Sequence, residues 1–362
     1  MLSLRLATVV EITRRRPGLE EVVVEEDGRR APARSYPQFA GPLEVGARVV
    51  INTTAGELEL GTGGYHFVVG RLDGPAALSP AEGHIIKLRY TPLQFRVLAV
   101  EEEASPHREA IRECRDLGGR PVLLAPLHSL LAPAAAALKA LTDNAARVAA
   151  VITDSAALPL ALSDLAAALR ERGLLDAAIT TGQAFGGDFE AVNLFSGLLA
   201  ARAVGQADFI IVAPGPGHVG TGTDYGFGGI EQGEAVNAVS VLGGQPVAIP
   251  RISFADPRPR HRGLSRQTAV ALGQVALRPA VVAIPAMAPE RAALVQQQLD
   301  ESGISSRHRV VIRDGAIGVE ALTRCDLDVA SMGRSPDQDP ERFWAAGAAA
   351  VIAKEETWTT PG

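Results

Sequence analysis

From residue 121 onward the chain repeats one pattern, and that pattern constrains its fold more than any other feature. Short runs in which nearly every residue is apolar occupy 121–125, 148–152, 177–180, 208–213, 246–249 and 280–284, with a seventh candidate at 309–313. Helical patterns separate them, with expected starts near Leu130, Leu160, Glu190, Glu231, Ser265 and Pro289. A strand that is apolar at every position is covered on both faces, as in parallel sheets reached by right-handed crossovers. Gly173, Gly205, Gly243 and Gly303 stand where helix C-terminal caps belong. The spacing therefore predicts an α/β unit: a Rossmann-like parallel sheet with helices on both faces. A further strand is expected at 327–330, and Asp339-Pro340 opens a final alanine-rich helix.

The first hundred residues read differently. Runs rich in Val, Ile and Thr lie at 7–12, 21–25, 47–51, 65–69 and 84–90, and turn signals such as Glu26-Asp-Gly28, Gly41-Pro42 and Asp73-Gly-Pro75 separate them. About six short strands at this spacing suggest a small all-β, barrel-like domain. The expected division is residues 1–100 as a small β domain and 101–362 as a three-layer ligand-binding domain, with Ser105-Pro106 opening a helix to Leu117.

Composition narrows the function classes. The formal net charge is −6 and aromatic residues make up 4 %, which argues against a nucleic-acid binder with its basic surface and stacking rings. Neither a membrane span nor a secretory signal is expected, because apolar runs are short and residues 1–16 lack a long apolar core. Two cysteines, Cys114 and Cys325, form no disulfide framework or zinc pattern and fit a cytoplasmic location.

In an open α/β sheet, ligands bind outside the carboxyl ends of the strands, so the residues there are the candidates. The most distinctive segment is 214–234, PGPGHVGTGTDYGFGGIEQGE, with eight glycines between a strand and a helix. Glycine at this density allows positive φ and close approach of a ligand to backbone N–H groups. Gly215, Gly217, Gly220, Thr221, Gly222 and Thr223 are the ligand-binding candidates here, with Gln183 from the third crossover and Arg260 or Arg262 from the fifth as an anion grip. Asp154, Asp188, Glu190, His218 and Asp256 are acid, base or metal candidates, and their oxygens suit Mg²⁺ or Mn²⁺. His128 beside Ser129 reads either as a base with a nucleophile or as ordinary helix-entry polar groups, since no GxSxG elbow surrounds the serine. The glycine segment matches neither GxGxxG nor the P-loop pattern, which argues against NAD.

Several segments resemble one family: Asn52-Thr-Thr54, the element at 60–67, the run at 83–90, Pro214-Gly-Pro-Gly217 with Gly220-Thr-Gly-Thr223, the run at 229–234, and Arg251-Ile-Ser-Phe254 with residues 260–265. Together they are similar to the bacterial proteins of Domain of Unknown Function 3866. The resemblance implies a bacterial protein in which both domains belong together, and it implies no activity. The residues themselves predict a protein that binds a small anionic molecule at the carboxyl edge of the sheet, as a hydrolase or transferase. The competing expectation is a non-catalytic regulatory, sensor or assembly protein, in which the glycine loop and Gly61–Gly64 build an oligomer interface or a sensor pocket; a homodimer is the expected self-association.

Overall fold

A computed structural model describes residues 2–57, 64–73 and 82–357 of the chain. Gly74-Pro75 and Gly61–Gly63 lie outside the described residues. The chain forms two compact units, one of residues 1–82 with 90–95, the other of 83–89 with 96–362.

The first unit contains a closed five-stranded barrel. Its strands are β1 (Leu4–Arg16), β2 (Leu19–Glu26), β3 (Arg29–Ser35), β4 (Arg48–Asn52) and β5 (His66–Arg71), in the order β1-β2-β3-β5-β4. Asp27 and Gly28 both have positive φ, 48° and 77°. That is the two-residue turn whose twist matches paired strands, and it sets the β2–β3 register. Alternate residues Val22, Val24, Ala33, Val49 and Ile51 fill the barrel with Val9 and Leu43. The run at 84–90, read from sequence as a barrel strand, belongs largely to the second unit: it contributes three strand residues, Ile85–Lys87.

The second unit is built on an eight-stranded, all-parallel sheet. Its strands are β6 (Pro121–Leu124), β7 (Val148–Thr153), β8 (Ala177–Thr180), β9 (Phe189–Glu190), β10 (Phe209–Pro214), β11 (Gln245–Ala248), β12 (Val281–Pro285) and β13 (Arg309–Arg313). In space they run β9-β8-β7-β10-β6-β11-β12-β13. Successive residues of one strand enter opposite cores: Leu123, Ala150, Ile152, Phe209 and Ile211 pack on one face, and Val122, Leu124, Ala149, Val151 and Ile210 on the other. The first face carries the helices α1 (Leu131–Leu141), α2 (Asp164–Glu171), α7 (Ala316–Arg324) and α8 (Pro340–Thr357). The second carries α3 (Leu194–Ala203), α4 (Glu231–Val241) and α6 (Pro289–Glu301). A short α5 (Arg266–Val270) runs into one π turn, Ala271–Val275.

The strand order reverses at β10. The chain moves outward from β6 to β9, then returns to insert β10 between β6 and β7 before continuing to β11. Right-handed crossovers in opposite directions put helices on opposite faces. The loops after β6 and β10 therefore diverge, and a crevice opens between them.

Four expectations change. Residues 327–330 form no strand, although Val329 is buried. Glu190 does not start a helix: it ends the two-residue edge strand β9, and Asn193 caps α3 in a reciprocal pair with Ser196. The helix after Ser105 spans only Arg108–Glu113. Gly205 is not left-handed; its neighbour Gln206 takes the positive φ of 51°.

Candidate functional site: an arginine cleft beside the glycine loop

The glycine segment folds into a compact hairpin. Thr221 N–H donates to the Gly226 carbonyl at 2.8 Å, Gly228 N–H donates to Val219 at 2.9 Å, and Gly220 bridges Phe227. A Cβ at Gly226 would strike the Thr221 and Thr223 hydroxyls, and one at Gly215 would overlap the Ala157 carbonyl oxygen. Much of the glycine density thus serves tight packing rather than presenting N–H groups.

Three side-chain ties hold this hairpin to the segment after β11. Asp224 pairs with Arg266 at 2.6 Å, Tyr225 Oη donates to Gln274 Oε1 at 2.7 Å, and His218 Nε2 lies 3.1 Å from Gln267 Oε1. Beneath, Gln232 of α4 donates to the end carbonyls Leu124 and Ile249, at 2.7 and 2.8 Å. The two segments leave strands on either side of β6, whose ends are therefore roughly 10 Å apart. Between them is a cleft of about 120 Å³ lined by His218, Gly220, Gly222, Thr223, Asp224, Phe227, Arg251, Arg258, Arg260, His261, Arg266, Gln267 and Met332.

Charge in the cleft wall and directly behind it is unbalanced. Arg251, Arg258, Arg334 and Arg342 converge on Asp256 at 3.4, 2.8, 3.1 and 3.9 Å, and Arg334 and Arg342 also pair with Asp339 at 3.3 and 2.8 Å. Four guanidinium groups share two carboxylates, and Asp339 also accepts from the Ser253 hydroxyl. Arg251 is 2 % exposed and its Nε has no partner. Burial, with the neighbouring Arg342 charge, lowers the Arg251 pKa to about 10. The hydrogen bond from Arg258 holds the Asp256 carboxyl far below the usual carboxylate range.

Both cleft histidines are neutral at physiological pH. Burial and the nearby Arg251 charge depress His218 and His261 to about 4. Arg251 also donates to Gln267 Oε1 at 2.8 Å. The oxygen of that amide therefore faces His218, so the ring donates from Nε2 and keeps its lone pair on Nδ1.

The other sequence candidates lie elsewhere. Asp154 accepts from Gln183 N–H at 2.8 Å at the end of β7, three strand positions from β11 and so roughly 14 Å from the Arg251 strand. Glu190 accepts from Thr180 and Gly186, and lies 3.3 Å from the buried Lys87 amine, which donates to the carbonyls of Gly182 and Ala184. Burial raises Glu190 and lowers Lys87, each opposed by the other's charge. Asp188 does not reach the carboxyl edge. It sits level with Ala178, whose N–H it accepts at 2.8 Å, and pairs with Arg170, because β9 turns the chain back alongside β8. His128 pairs not with Ser129 but with Ser163, the α2 cap, at 2.6 Å, while its Nδ1 donates to the Pro214 carbonyl at 2.8 Å. Its burial lowers its pKa. It lines a neighbouring hollow that also holds Gly217. Gly215, Thr221 and Arg262 are not among the cleft-lining residues. Among the described residues no three His, Cys, Asp or Glu side chains converge to hold a metal, so the Mg²⁺ or Mn²⁺ set proposed from sequence is not assembled.

The sequence places Arg251 and His261 among the polar residues after the fifth strand but gives the grip to Arg260 or Arg262, and it gives no role to Gln267, Arg334, Asp339 or Arg342. The signal for Arg251 was present: an arginine directly after an apolar strand. The tail residues carried none, since only folding brings 331–342 beneath this edge.

The geometry describes an α/β protein whose parallel sheet carries a cationic cleft beside the reversal strand, between the segments after β10 and β11, with a small β barrel earlier in the chain. The chain belongs to the family described as protein of unknown function (DUF3866), whose profile matches residues 32–350. No curated protein matches the sequence. No described helix is long and apolar enough to cross a membrane.

Proposed function

We propose that the protein binds a small anionic molecule in the cleft between the glycine hairpin and the segment 251–267. The observation that carries this reading is Arg251: a buried guanidinium with an unpartnered Nε, in a wall where four arginines share two carboxylates. Burying uncompensated cationic charge costs stability, and an anion arriving in the cleft would supply the missing partner through charge-assisted hydrogen bonds. Thermal unfolding against a panel of phosphorylated and carboxylated metabolites tests this. A ligand at a hundred times its Kd adds about 2.7 kcal/mol, and the same ligand should leave Arg251→Gln unshifted. An unmoved melting temperature across the panel refutes the reading.

A second reading, that the bound anion is transformed by hydrolysis or group transfer, is favoured by the neutral His218 at the cleft, whose Nδ1 lone pair is available as a base. Release of inorganic phosphate from model esters, lost in His218→Asn with binding retained, would support it. Binding without turnover would leave the protein as a sensor or regulator.

A further inference from the structure

Resting on the anion-binding reading, we infer that the ligand is a phosphate monoester, recognised as its dianion, with the remainder of the molecule projecting out of the cleft. Three observations carry this.

The first is the charge balance. Around Asp256 and Asp339 the inner wall carries two more guanidinium groups than carboxylates. Arg266 and Asp224 neutralise each other at the rim. His218 and His261 add hydrogen bonds but no charge near neutral pH. With Arg260 at the rim the cleft and the wall behind it hold three more guanidinium groups than carboxylates, of which a monoanion such as a carboxylate or phosphodiester would compensate one and a monoester dianion two.

The second is size. A cleft of about 120 Å³ between the hairpin and the segment after β11 has room for a compact five-atom phosphoryl group. The third is the donor set. Arginine forks match phosphoryl oxygens in pairs. Arg251 lines the cleft and has an unpartnered Nε, and the exposed Arg260 stands at the rim.

Calorimetric titration of the full chain with phenyl phosphate, diphenyl phosphate and benzoate at pH 5.0 and 7.5 tests the inference. A phosphomonoester has a second pKa of about 6, so its dianion fraction rises about tenfold over this interval. The groups facing the cleft are His218 and His261, which titrate near 4, the carboxylate Asp224 and the arginines, with the Asp256 carboxylate buried behind them. The diester controls for any contribution they make. Phenyl phosphate should bind about tenfold more tightly at pH 7.5 than at 5.0, and at least tenfold more tightly than diester or benzoate at pH 7.5. Arg251→Gln, checked for folding by circular dichroism, should lose most of that preference. Arg260→Gln, at an exposed position, keeps the test valid should the first variant unfold: it should weaken the monoester more than the diester. Equal affinity for monoester and diester overturns the dianion assignment while leaving anion binding intact. Failure of all three ligands to bind overturns the anion reading itself. A phosphoserine peptide binding far more tightly than phenyl phosphate would overturn the small-molecule source.

Discussion

Replacing Asp256 with asparagine perturbs the cleft wall at its centre. The Asp256 side chain is fully buried and is approached by four arginines, the closest being Arg258 at 2.8 Å and Arg334 at 3.1 Å. Asparagine keeps the shape and removes the charge, leaving Asp339 to Arg334 and Arg342 and taking away the carboxylate that Arg251 and Arg258 contact. Breaking a buried pair by deleting one partner costs about 3–5 kcal/mol. At roughly 2–4 °C per kcal/mol for a unit of this size, the melting temperature should fall by about 10 °C. The pH dependence has a defined sign. Asp256 is depressed in the folded state, so its stabilisation is complete above the unfolded carboxyl pKa of about 4 and is lost as pH falls below it. Asp256→Asn lacks that component, so its deficit should be largest above pH 4 and shrink in acid. Added phosphate should restore part of the loss by binding the uncompensated arginines. Urea unfolding of wild type, Asp256→Asn and the exposed control Asp337→Asn, each from pH 3 to 7, measures all of this. A loss below about 1 kcal/mol, or one equal to the control's, would refute the claim that these arginines depend on Asp256.

Other predictions follow from neighbouring geometry. Lys87→Met should cost about 3–5 kcal/mol by stranding the buried Glu190, and Lys87→Met with Glu190→Gln should recover much of it; chemical denaturation of the three variants checks the coupling. Gly215→Ala drives a Cβ into the Ala157 carbonyl and should destabilise by about 1–3 kcal/mol, seen as a lowered midpoint in urea. Because His218 and His261 are depressed in the fold, stability they leave intact above pH 6.5 is lost as pH falls toward 4; imidazole NMR titration should show both rings neutral at pH 5.5, with the proton of His218 on Nε2. Ser163→Ala removes the α2 cap and the partner of His128, and should cost about 1 kcal/mol in thermal unfolding.

The sequence by itself determined the parallel sheet, because strands buried on both faces must be apolar at every position and 121–124, 148–152 and 209–213 are. It determined the β2–β3 hairpin through Asp27-Gly28, since few residue pairs accept two positive φ values. It also marked the glycine segment and the segment after β11 as neighbours of a site, because the carboxyl edge of such a sheet follows from strand direction. Tertiary structure decided the rest. That β10 inserts between β6 and β7 is a matter of pairing between strands distant in sequence, and no local pattern encodes it. Asp188 looked like a site acid because a two-residue strand, Phe189–Glu190, is too short to leave a periodic signal, yet it reverses the position of that carboxylate. His128 found Ser163 rather than its neighbour Ser129, a choice made by the packing of α2. The wall behind the cleft depends on Arg334 and Arg342, which meet Asp256 across some eighty residues, and on Asp339, which pairs with both arginines. Charge pairing of this kind is set by distance in space and by burial, and neither is a property of the linear chain.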